Sequence, residues 1–597
     1  MNKIGLDMKR IFILLLILVP LFSSCDDLFS PAIENNKGLS YMFKNADYAA
    51  GILANGYTRI PSDSWSFDDV ATDDAVSNNT SNSYRKMATG AWTSQNNPLD
   101  RWTSCRAAIQ YLNLYITNVD NVKFASDTIA NKLFKERTKG EAYGLRALYM
   151  YYLLQAHAGW TTDGKLLGVP ILTEPETSSS DFNQPRATFD DCMKQLYADV
   201  DSADALLPLD YGDLTSDNQV PTKYSTWGVD YSVFNRVCGT GVNLRMTGRI
   251  AKAIRAQAAL MAASPAYSTG TTTTWVDAAN DAANVLDLIG GVSGLDPNGW
   301  HWFSNTTEIG NLKGGANPQE ILWRGSTGTS LSLESDNYPP TLYGSGRVNP
   351  TQNLVDAFPM ANGYPTTDHV NSGYDSSNPY SNRDPRLTKY ILVNGGVAGP
   401  SSTIIYTAAD GTTNDALNAT STSTRTGYYM LKLMRQDVNL NPNSQNQQEH
   451  YQARIRYTEI FLDYAEAANE AWGPTGNGGH GYSAYDVIKA IRKRAGVGTT
   501  NGDPYLESIN ANNDKEAMRT LIHNERRLEL SFEGFRFWDL RRWKSSITEK
   551  AQGVSIKSNI YTTIDVETRG YSDYMYYGPI PYSEVLKYNQ LVQNKGW

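Results

Sequence analysis

NERRLELSFEGFRFWDLRRW, residues 524–543, decides the fold of this chain, because it crowds acidic, basic and aromatic side chains into one short stretch. Glu525, Glu529 and Glu533 recur four residues apart, so on a helix all three would share one face. Like charges at that spacing repel each other, so cationic side chains must face them. The available cations, within the stretch and upstream, are Arg526, Arg527, Arg536, Arg541, Arg542, Arg456, Arg492 and Arg494. The stretch therefore predicts a charged, partly buried junction that holds several helices together.

The predicted structural core of this junction consists of Glu525, Glu529, Glu533, Arg536 and Asp539. The helix that carries the glutamates is expected to stop at Gly534, because glycine suits the left-handed residue that often follows a helix. An enzymatic alternative is a glycosidase pair, in which two carboxyl groups lie about 5–5.5 Å apart. Carboxylates surrounded by arginine should instead have lowered pKa values, which suits a structural role rather than a general acid.

The order Glu-Arg-Arg-x-Glu-Leu-x-Phe-Glu-Gly-x-Arg-x-Trp-Asp-Leu-Arg-Arg-Trp in this stretch resembles the C-terminal signature of the SusD/RagB family. Other segments are also similar to that family: 140–147, 168–170, 248–265, 317–323, 350–360, 579–584 and 593–597. The resemblance covers nearly the whole mature chain. It implies a mainly α fold, a tetratricopeptide-like superhelix of helix hairpins with a large loop-rich insertion that carries the ligand site.

Composition narrows the class of protein. The chain has 597 residues, which is long enough for a large core, and its 41% hydrophobic and 19% charged residues are ordinary for a globular protein. The net charge of −9 argues against nucleic acid as a partner. Aromatic residues are abundant, with 37 Tyr and 13 Trp, and such side chains on loops can form stacking platforms for ligands.

The N-terminus indicates a lipoprotein. Basic residues precede an apolar run over residues 11–22, which is too short for a bilayer span of about 20 residues and fits a signal peptide. The run ends in Ser-Ser-Cys, so cleavage would leave Cys25 as the lipidated first residue. The Asp26-Asp27 pair that follows resembles a surface-export signal of bacteria that carry this family. We therefore expect the protein to be held on the outer membrane by this lipid only and to face the cell exterior. The alternatives are an uncleaved membrane anchor and a plain secreted protein.

These signals divide the chain into four regions. The predicted regions are a signal peptide at 1–24, the lipidated Cys and a tether at 25–40, an N-terminal region at 41–300 with a binding loop at 59–100, and a C-terminal region at 301–597 that is loop-rich over 301–450 and helical over 451–597.

Periodic apolar residues predict the main helices. The predicted spans are Ala46–Tyr57, Trp102–Val119, Gly140–Gly159, Thr188–Leu206, Gly248–Ser264, one from Ile455, and one that begins at Ser483 and ends before Gly496. The helix from Ile455 is expected to be amphipathic, with Glu459, Asp463, Glu466 and Glu470 on its polar face.

Motifs of catalysis are missing from the sequence: it has no HExxH, Walker, GxSxG or Rossmann pattern, and the prediction is a protein that is not an enzyme. No cofactor is expected. The acidic residues Asp68, Asp69, Asp73 and Asp74 are a weak calcium candidate, since their spacing does not match an EF-hand loop and turn or capping roles are commoner. The cysteines form no zinc spacing and are expected to be mostly buried thiols, with one disulfide left open; they are Cys105, Cys192 and Cys238.

Aromatic residues in two loop regions are the candidate ligand platform, because flat rings can bind the apolar face of a sugar while polar groups read its hydroxyls. The candidates are Trp65, Trp92 and Asn96 in the first region and Trp300, Trp302, Tyr338 and Tyr343 in the second. Trp92 with Asn96 is the pair expected to meet one sugar. For any single aromatic residue, a core position remains an equal alternative.

The resemblance implies a function. It predicts a surface lipoprotein that captures a nutrient, most often a glycan, and delivers it to a SusC-like TonB-dependent transporter. A peptide-binding role, as in the RagB branch, is the alternative. A more remote alternative is a surface-anchored glycan hydrolase, which would require convergent carboxylates with raised pKa values in a cleft.

Overall fold

The computed structural model describes residues 38–61, 67–312 and 316–597. The predicted signal peptide, Cys25 and Trp65 lie outside the described residues. Helices dominate the described chain. The helices of eight or more residues are α1 (Ala46–Thr58), α2 (Trp102–Asn118), α3 (Thr128–His157), α4 (Phe189–Leu206), α5 (Tyr231–Cys238), α6 (Gly248–Ala263), α7 (Trp275–Leu286), α8 (Tyr457–Trp472), α9 (Ala484–Ala495), α10 (Pro504–Ala511) and α11 (Lys515–Glu529).

Polar caps set where these helices begin. The side chain of Asn45 accepts the backbone N–H of Tyr48 at the start of α1, and Thr188 does the same for Asp191 at the start of α4. At α9 the predicted cap at Ser483 is confirmed, and Gly496 ends the helix in the left-handed conformation. All the predicted helices are present. Sequence periodicity missed α5, α7 and α10 and also the first turns of α3.

The long helices pack on one another in chain order. α3 contacts α2 and α4, α6 contacts α4 and α7, α7 contacts α8, and α8 contacts α9 and α11. Each helix therefore buries its apolar stripe against its neighbours, as expected for stacked helix hairpins. The predicted mainly α superhelix is confirmed. Among the described residues, no helix is both long and apolar enough to cross a membrane.

Short elements fill the rest. The short α-helices are Ser40–Lys44, Ser83–Lys86, Thr222–Ser225, Thr306–Gly310, Ser332–Asn337, Gln352–Ala357, Arg386–Tyr390, Arg536–Arg542 and Tyr582–Lys587. The strands are β1 (Ala75–Ser77), β2 (Gly159–Trp160), β3 (Leu166–Leu167), β4 (Ile321–Arg324), β5 (Gly328–Ser330), β6 (Val348–Pro350), β7 (Ile391–Leu392), β8 (Val397–Ala398), β9 (Thr403–Ile404), β10 (Tyr429–Met430), β11 (Gln448–His450), β12 (Ala453–Arg456), β13 (Ala551–Lys557) and β14 (Ile560–Glu567). They pair in antiparallel twos, as β1–β6, β2–β3, β4–β12, β5–β11, β7–β10, β8–β9 and β13–β14.

Two large apolar cores meet at α11. One lies among the long helices, and the other lies in the loop-rich region. Leu521 and Ile522 belong to the helical core, whereas Leu528 and Phe532 belong to the loop-rich core. The segment that carries the charged stretch therefore joins the two halves of the protein.

The structure corrects two details of the predicted helices. α11 ends at Glu529 and not at Gly534, so Glu533 lies in the following turn, where Phe532 and Gly534 take positive φ angles of 63° and 81°. In α8 the carboxylates Glu459, Asp463 and Glu466 are buried rather than facing solvent. Distant side chains explain both differences: Lys432 and Arg456 pair with Glu533, Arg526 and Arg542 pair with Asp463 and Glu466, and the Gln257 amide donates to Glu459.

The three described cysteines are free thiols and buried, so the open question of a disulfide is settled for them. Burial raises the pKa of Cys105, Cys192 and Cys238 to about 12. They act as small apolar side chains of the core.

Candidate functional site

A buried network of ion pairs lies where the two cores meet. We call it the charged junction, and its members are Glu320, Asp384, Arg386, Lys432, Arg456, Arg492, Arg494, Glu525, Glu529 and Glu533. Glu529 lies at its centre, with its carboxylate oxygens 2.6 Å from Arg494 and 2.9 Å from Arg386. Burial alone would raise the pKa of Glu529, but the surrounding cations hold it well below its ordinary value.

Glu533 joins the charged junction although it is not helical. Its carboxylate accepts from Arg456 at 2.8 Å and from Lys432 at 2.7 Å. Lys432 also donates to the backbone carbonyls of Glu529 and Ser531, two groups freed by the end of α11. The early end of the helix is thus stabilised by a buried lysine.

A second cluster surrounds the carboxylates of α8. Arg526 bridges Asp463 at 2.5 Å and Asp539 at 2.8 Å, and Arg542 bridges Asp539 and Glu466. The predicted core residue Asp539 therefore pairs with arginines of its own stretch.

Two α8 carboxylates line an internal cavity. Burial raises the pKa of both Glu459 and Asp463, and the negative charge of Asp463 adds to the effect on Glu459. These are convergent carboxylates of the kind that a hydrolase would use. The cavity, however, holds only about 40 Å³, against about 300–1,000 Å³ for ordinary ligand sites. It has room for water but not for a sugar ring, so it does not support the hydrolase alternative.

The acidic cluster near β1 is bound by arginine. Arg527 lies 2.9 Å from Asp73 and 2.5 Å from Asp74, and Arg536 lies 2.9 Å from Asp73. Across the described chain, no group of three or more His, Cys, Asp or Glu side chains is arranged to hold a metal ion. The calcium candidate Asp68, Asp69, Asp73 and Asp74 is therefore not supported. Arg536 was expected to face the glutamate row and instead neutralises this cluster.

The structure contradicts three of the predicted ligand-binding aromatics. Trp92 is only 3% exposed and packs edge-on against Phe537 and Trp597, with its indole N–H donating to Asn97. Trp302 and Tyr338 are fully buried in the loop-rich core. Rings without exposed faces cannot stack on a sugar. The expected pairing of Trp92 with Asn96 on one sugar is wrong, because Trp92 is buried whereas Asn96 is exposed, with its amide donating to the Ala91 carbonyl.

Of the two remaining described aromatics, Trp300 lies at an open cleft of about 490 Å³ in the loop-rich region. We call it the cleft, and its lining residues are Trp300, His301, Phe303, Ser304, Thr388, Lys389, Val397, Ala398, Gly399, Ser402, Leu431, Met434 and Gln436. Trp300 lines it directly. Tyr343 is 58% exposed and follows Leu342, whose side chain lies close to the lining residue Gly399. The volume of the cleft is in the range of ordinary ligand sites.

The charged junction positions one wall of the cleft. The short helix Arg386–Tyr390 contributes Thr388 and Lys389 to the lining, while Arg386 pairs with Glu525 and Glu529 in the interior. The Tyr390 hydroxyl donates to the Trp300 carbonyl at 2.6 Å. The tryptophan of the cleft is therefore tied to the helix that the junction anchors.

The β8–β9 hairpin and its turn also line the cleft. The backbone N–H of Gly399 donates to the Gln436 side chain at 2.9 Å, which fixes this amide at the edge of the cleft. Val397 and Ile404 of the hairpin are about half exposed. The cleft is thus bounded by one aromatic side chain, several apolar side chains and a few polar ones.

Two family models match the sequence. One is described as "SusD family" and matches residues 311–597; the other is described as "Starch-binding associating with outer membrane" and matches residues 40–229. The chain belongs to the SusD/RagB family. The family membership that the C-terminal stretch predicted is therefore confirmed.

Individual SusD-like relatives are more distant. SusD-like protein P38 of Formosa agariphila is 34% identical over 93 residues, and SusD-like protein P25 of the same organism is 32% identical over 117 residues. These alignments cover 16% and 19% of this chain and only 17% and 19% of the relatives' own lengths.

Solved SusD-like structures share the whole fold. A SusD-like protein from Bacteroides fragilis superposes with a TM-score of 0.69 at 21% identity, over 93% of this chain and 98% of that chain. A laminarin-binding SusD-like protein superposes with a TM-score of 0.54 at 19% identity, over 93% of this chain and 100% of that chain. At these identities the likeness shows the fold alone.

In this SusD-like chain, sequence reasoning missed several side chains that build the site. Arg386, Lys432 and Glu320 complete the charged junction, and Lys389 and Gln436 line the cleft. The only local signal for them was their place in a polar, loop-rich region. Their roles depend on contacts with residues that are often more than a hundred positions away in the chain.

Proposed function

We propose that this SusD-like protein is a cell-surface lipoprotein that binds a glycan in the cleft and delivers it to a SusC-like TonB-dependent transporter. The observation that carries the proposal is the cleft itself: about 490 Å³, open, and lined by Trp300 with a few polar side chains. The family model described as starch-binding and the laminarin-binding structural neighbour support a glycan as the ligand.

The chemistry of the cleft suits a sugar. A pyranose ring has an apolar C–H face and a rim of hydroxyl groups, and the indole ring of Trp300 can accept the face. Thr388, Ser402 and Gln436 can exchange hydrogen bonds with the rim. Tyr343 is exposed and follows Leu342, whose side chain lies near the lining residue Gly399, so its ring is the candidate surface for a second sugar.

The membrane and partner parts of the proposal rest on the sequence and the family. Cys25 would carry the lipid, and the family model's description as associating with the outer membrane agrees with that location. Residues 25–40, which the sequence predicts to be the lipidated Cys and a tether, would connect the lipid to the rest of the chain at the cell surface. Affinity capture from detergent extracts of the native cell should recover a TonB-dependent transporter; its absence from the captured material would count against delivery.

Calorimetry tests the binding part. The chain without residues 1–25 retains every described residue, and a glycan array would identify its best ligand. Trp300→Ala should weaken that ligand by about 1–2 kcal/mol, roughly five- to thirtyfold, because the stacking face is lost. Trp227→Ala removes the same ring from the helical half and should leave affinity unchanged.

Three results would overturn the proposal. One is an unchanged affinity in Trp300→Ala. The second is an array on which no glycan binds while peptides do, which would favour the peptide-binding alternative. The third is cleavage of the bound glycan during the titration, which would show an enzyme.

A further inference from the structure

None of the described residues that line the cleft carries a carboxylate. They include Lys389 and His301 but neither Asp nor Glu, although acidic residues outnumber basic ones in the chain by 62 to 53. We propose that the cleft takes a glycan that carries an anionic group, a carboxylate or a sulfate ester, and that Lys389 binds this group. The inference rests on the proposed function and names the substrate class of the same site.

Among the described residues that line the cleft, Lys389 is the one lysine or arginine, and it is left for a ligand. Arg386, on the same short helix, is buried between Glu525 and Glu529, and Lys432 is bound to Glu533. By contrast, Lys389 is exposed, and its ammonium makes no hydrogen bond or ion pair with any described residue. The carboxylates of the charged junction are thus paired with its own arginines and lysine, whereas Lys389 has no ion-pair partner among the described residues.

The other polar groups of the cleft are also suited to an anion. Because Gly399 donates to the carbonyl oxygen of the Gln436 amide, the NH₂ end of that amide remains a donor with no acceptor among the described residues. Thr388 and Ser402 add hydroxyl groups that can donate. An anionic sugar substituent would receive a lysine charge and several N–H and O–H donors.

A neutral sugar can use the hydroxyl and amide groups of this lining but brings no negative charge to meet Lys389. Sugar hydroxyls donate as well as accept, and carboxylates are the strong acceptors for them. Within the described residues, the side chains of the cleft offer only hydroxyl, amide and imidazole acceptors. The donor excess therefore favours a ligand that brings its own negative charge.

Matched ligands test the inference. An array of neutral, uronate-bearing and sulfated oligosaccharides would rank the three classes, and the two anionic arms would show which group is preferred. The best uronate ligand is then compared with its carboxyl-reduced form, or the best sulfated ligand with its desulfated form. We expect the anionic form to bind about tenfold tighter at 50 mM salt, with the difference shrinking as salt increases.

Substitutions of Lys389 test whether this residue binds the anionic group of the ligand. Lys389→Gln should weaken the anionic ligand about three- to tenfold and leave its neutral form unchanged, whereas Lys389→Arg should keep most of the preference. Lys123→Gln is the matched control, because Lys123 is an exposed lysine of the helical half. Thermal stability should be the same in all three variants.

The outcomes separate this inference from the proposed function. If neutral glycans bind best, and Trp300→Ala weakens them while Lys389→Gln does not, the inference is overturned and the glycan-binding function stands. Equal losses for the anionic and neutral forms in Lys389→Gln would also overturn it. If no glycan of any class binds, the proposed function falls, and the inference falls with it.

Discussion

Replacing Glu529 with glutamine tests the charged junction directly. Glu529 is fully buried, and its carboxylate lies 2.6 Å from Arg494, 2.9 Å from Arg386 and 3.5 Å from Arg456. The amide would keep the shape but remove the charge that these cations face. Stranding a buried charge costs about 3–5 kcal/mol. The free energy of unfolding should fall by that amount.

The matched control is Glu516→Gln on the same helix. The Glu516 side chain is 87% exposed, and its ion pair with Arg519 is a surface pair. Surface substitutions of this kind change stability by about 0.5 kcal/mol or less. Urea and thermal unfolding, followed by tryptophan fluorescence and circular dichroism, would compare the two variants with the wild type.

The lowered pKa of Glu529 predicts how its contribution to stability changes with pH. Because the surrounding cations hold the pKa of Glu529 below its ordinary value of 4.5, the stabilising contribution is present above that value and is lost as the pH falls. The difference in the free energy of unfolding between the wild type and Glu529→Gln should therefore be largest at neutral pH and smaller in acid. Equal melting temperatures for the two proteins at pH 7 would refute the argument that the junction stabilises the fold.

Further predictions concern single residues. Burial raises the pKa of Glu459 from 4.5 to about 8, so the wild type loses stability as the pH rises through that range. Glu459→Gln should therefore become increasingly more stable than the wild type between pH 5 and pH 8.5. A melting-temperature difference that does not change with pH would contradict this. Trp92→Ala should lower the free energy of unfolding by about 3–5 kcal/mol, since its ring fills a core, and a binding loss without a stability loss in calorimetry and melting would return it to the ligand site. Cys25→Ala should release the protein from membranes or leave it unprocessed; a variant that fractionates and migrates on a gel like the wild type would show that the lipoprotein prediction is wrong.

The helical half of the fold could be predicted because its signals are local. Apolar periodicity and caps placed α1, α2, α4, α6 and α9 within about two residues of their observed ends. The helix end at Glu529 could not be placed this way. Gly534 is the local stop signal, but Lys432 binds the freed carbonyl of Glu529 a turn earlier and comes from almost a hundred residues upstream.

The candidate site was less predictable for the same reason. Trp92 and Trp300 both follow polar loop sequence, and nothing nearby distinguishes them. Trp92 is buried because Phe537 and Trp597, more than four hundred residues later, cover it. Trp300 remains at a cleft because the segments packed around it leave space. Composition could identify the aromatic residues but not which of their faces stay open.

The short helix Arg386–Tyr390 links stability to binding. A helix of five residues has too few internal hydrogen bonds to hold its own position, so its place depends on tertiary contacts. Arg386 supplies those contacts by pairing with Glu525 and Glu529, and Tyr390 passes the constraint to the Trp300 carbonyl. Glu529→Gln should therefore weaken glycan binding at temperatures where the variant is still folded, although Glu529 lies in the interior. A variant with lower stability but unchanged affinity would show that the cleft is held in place without the junction.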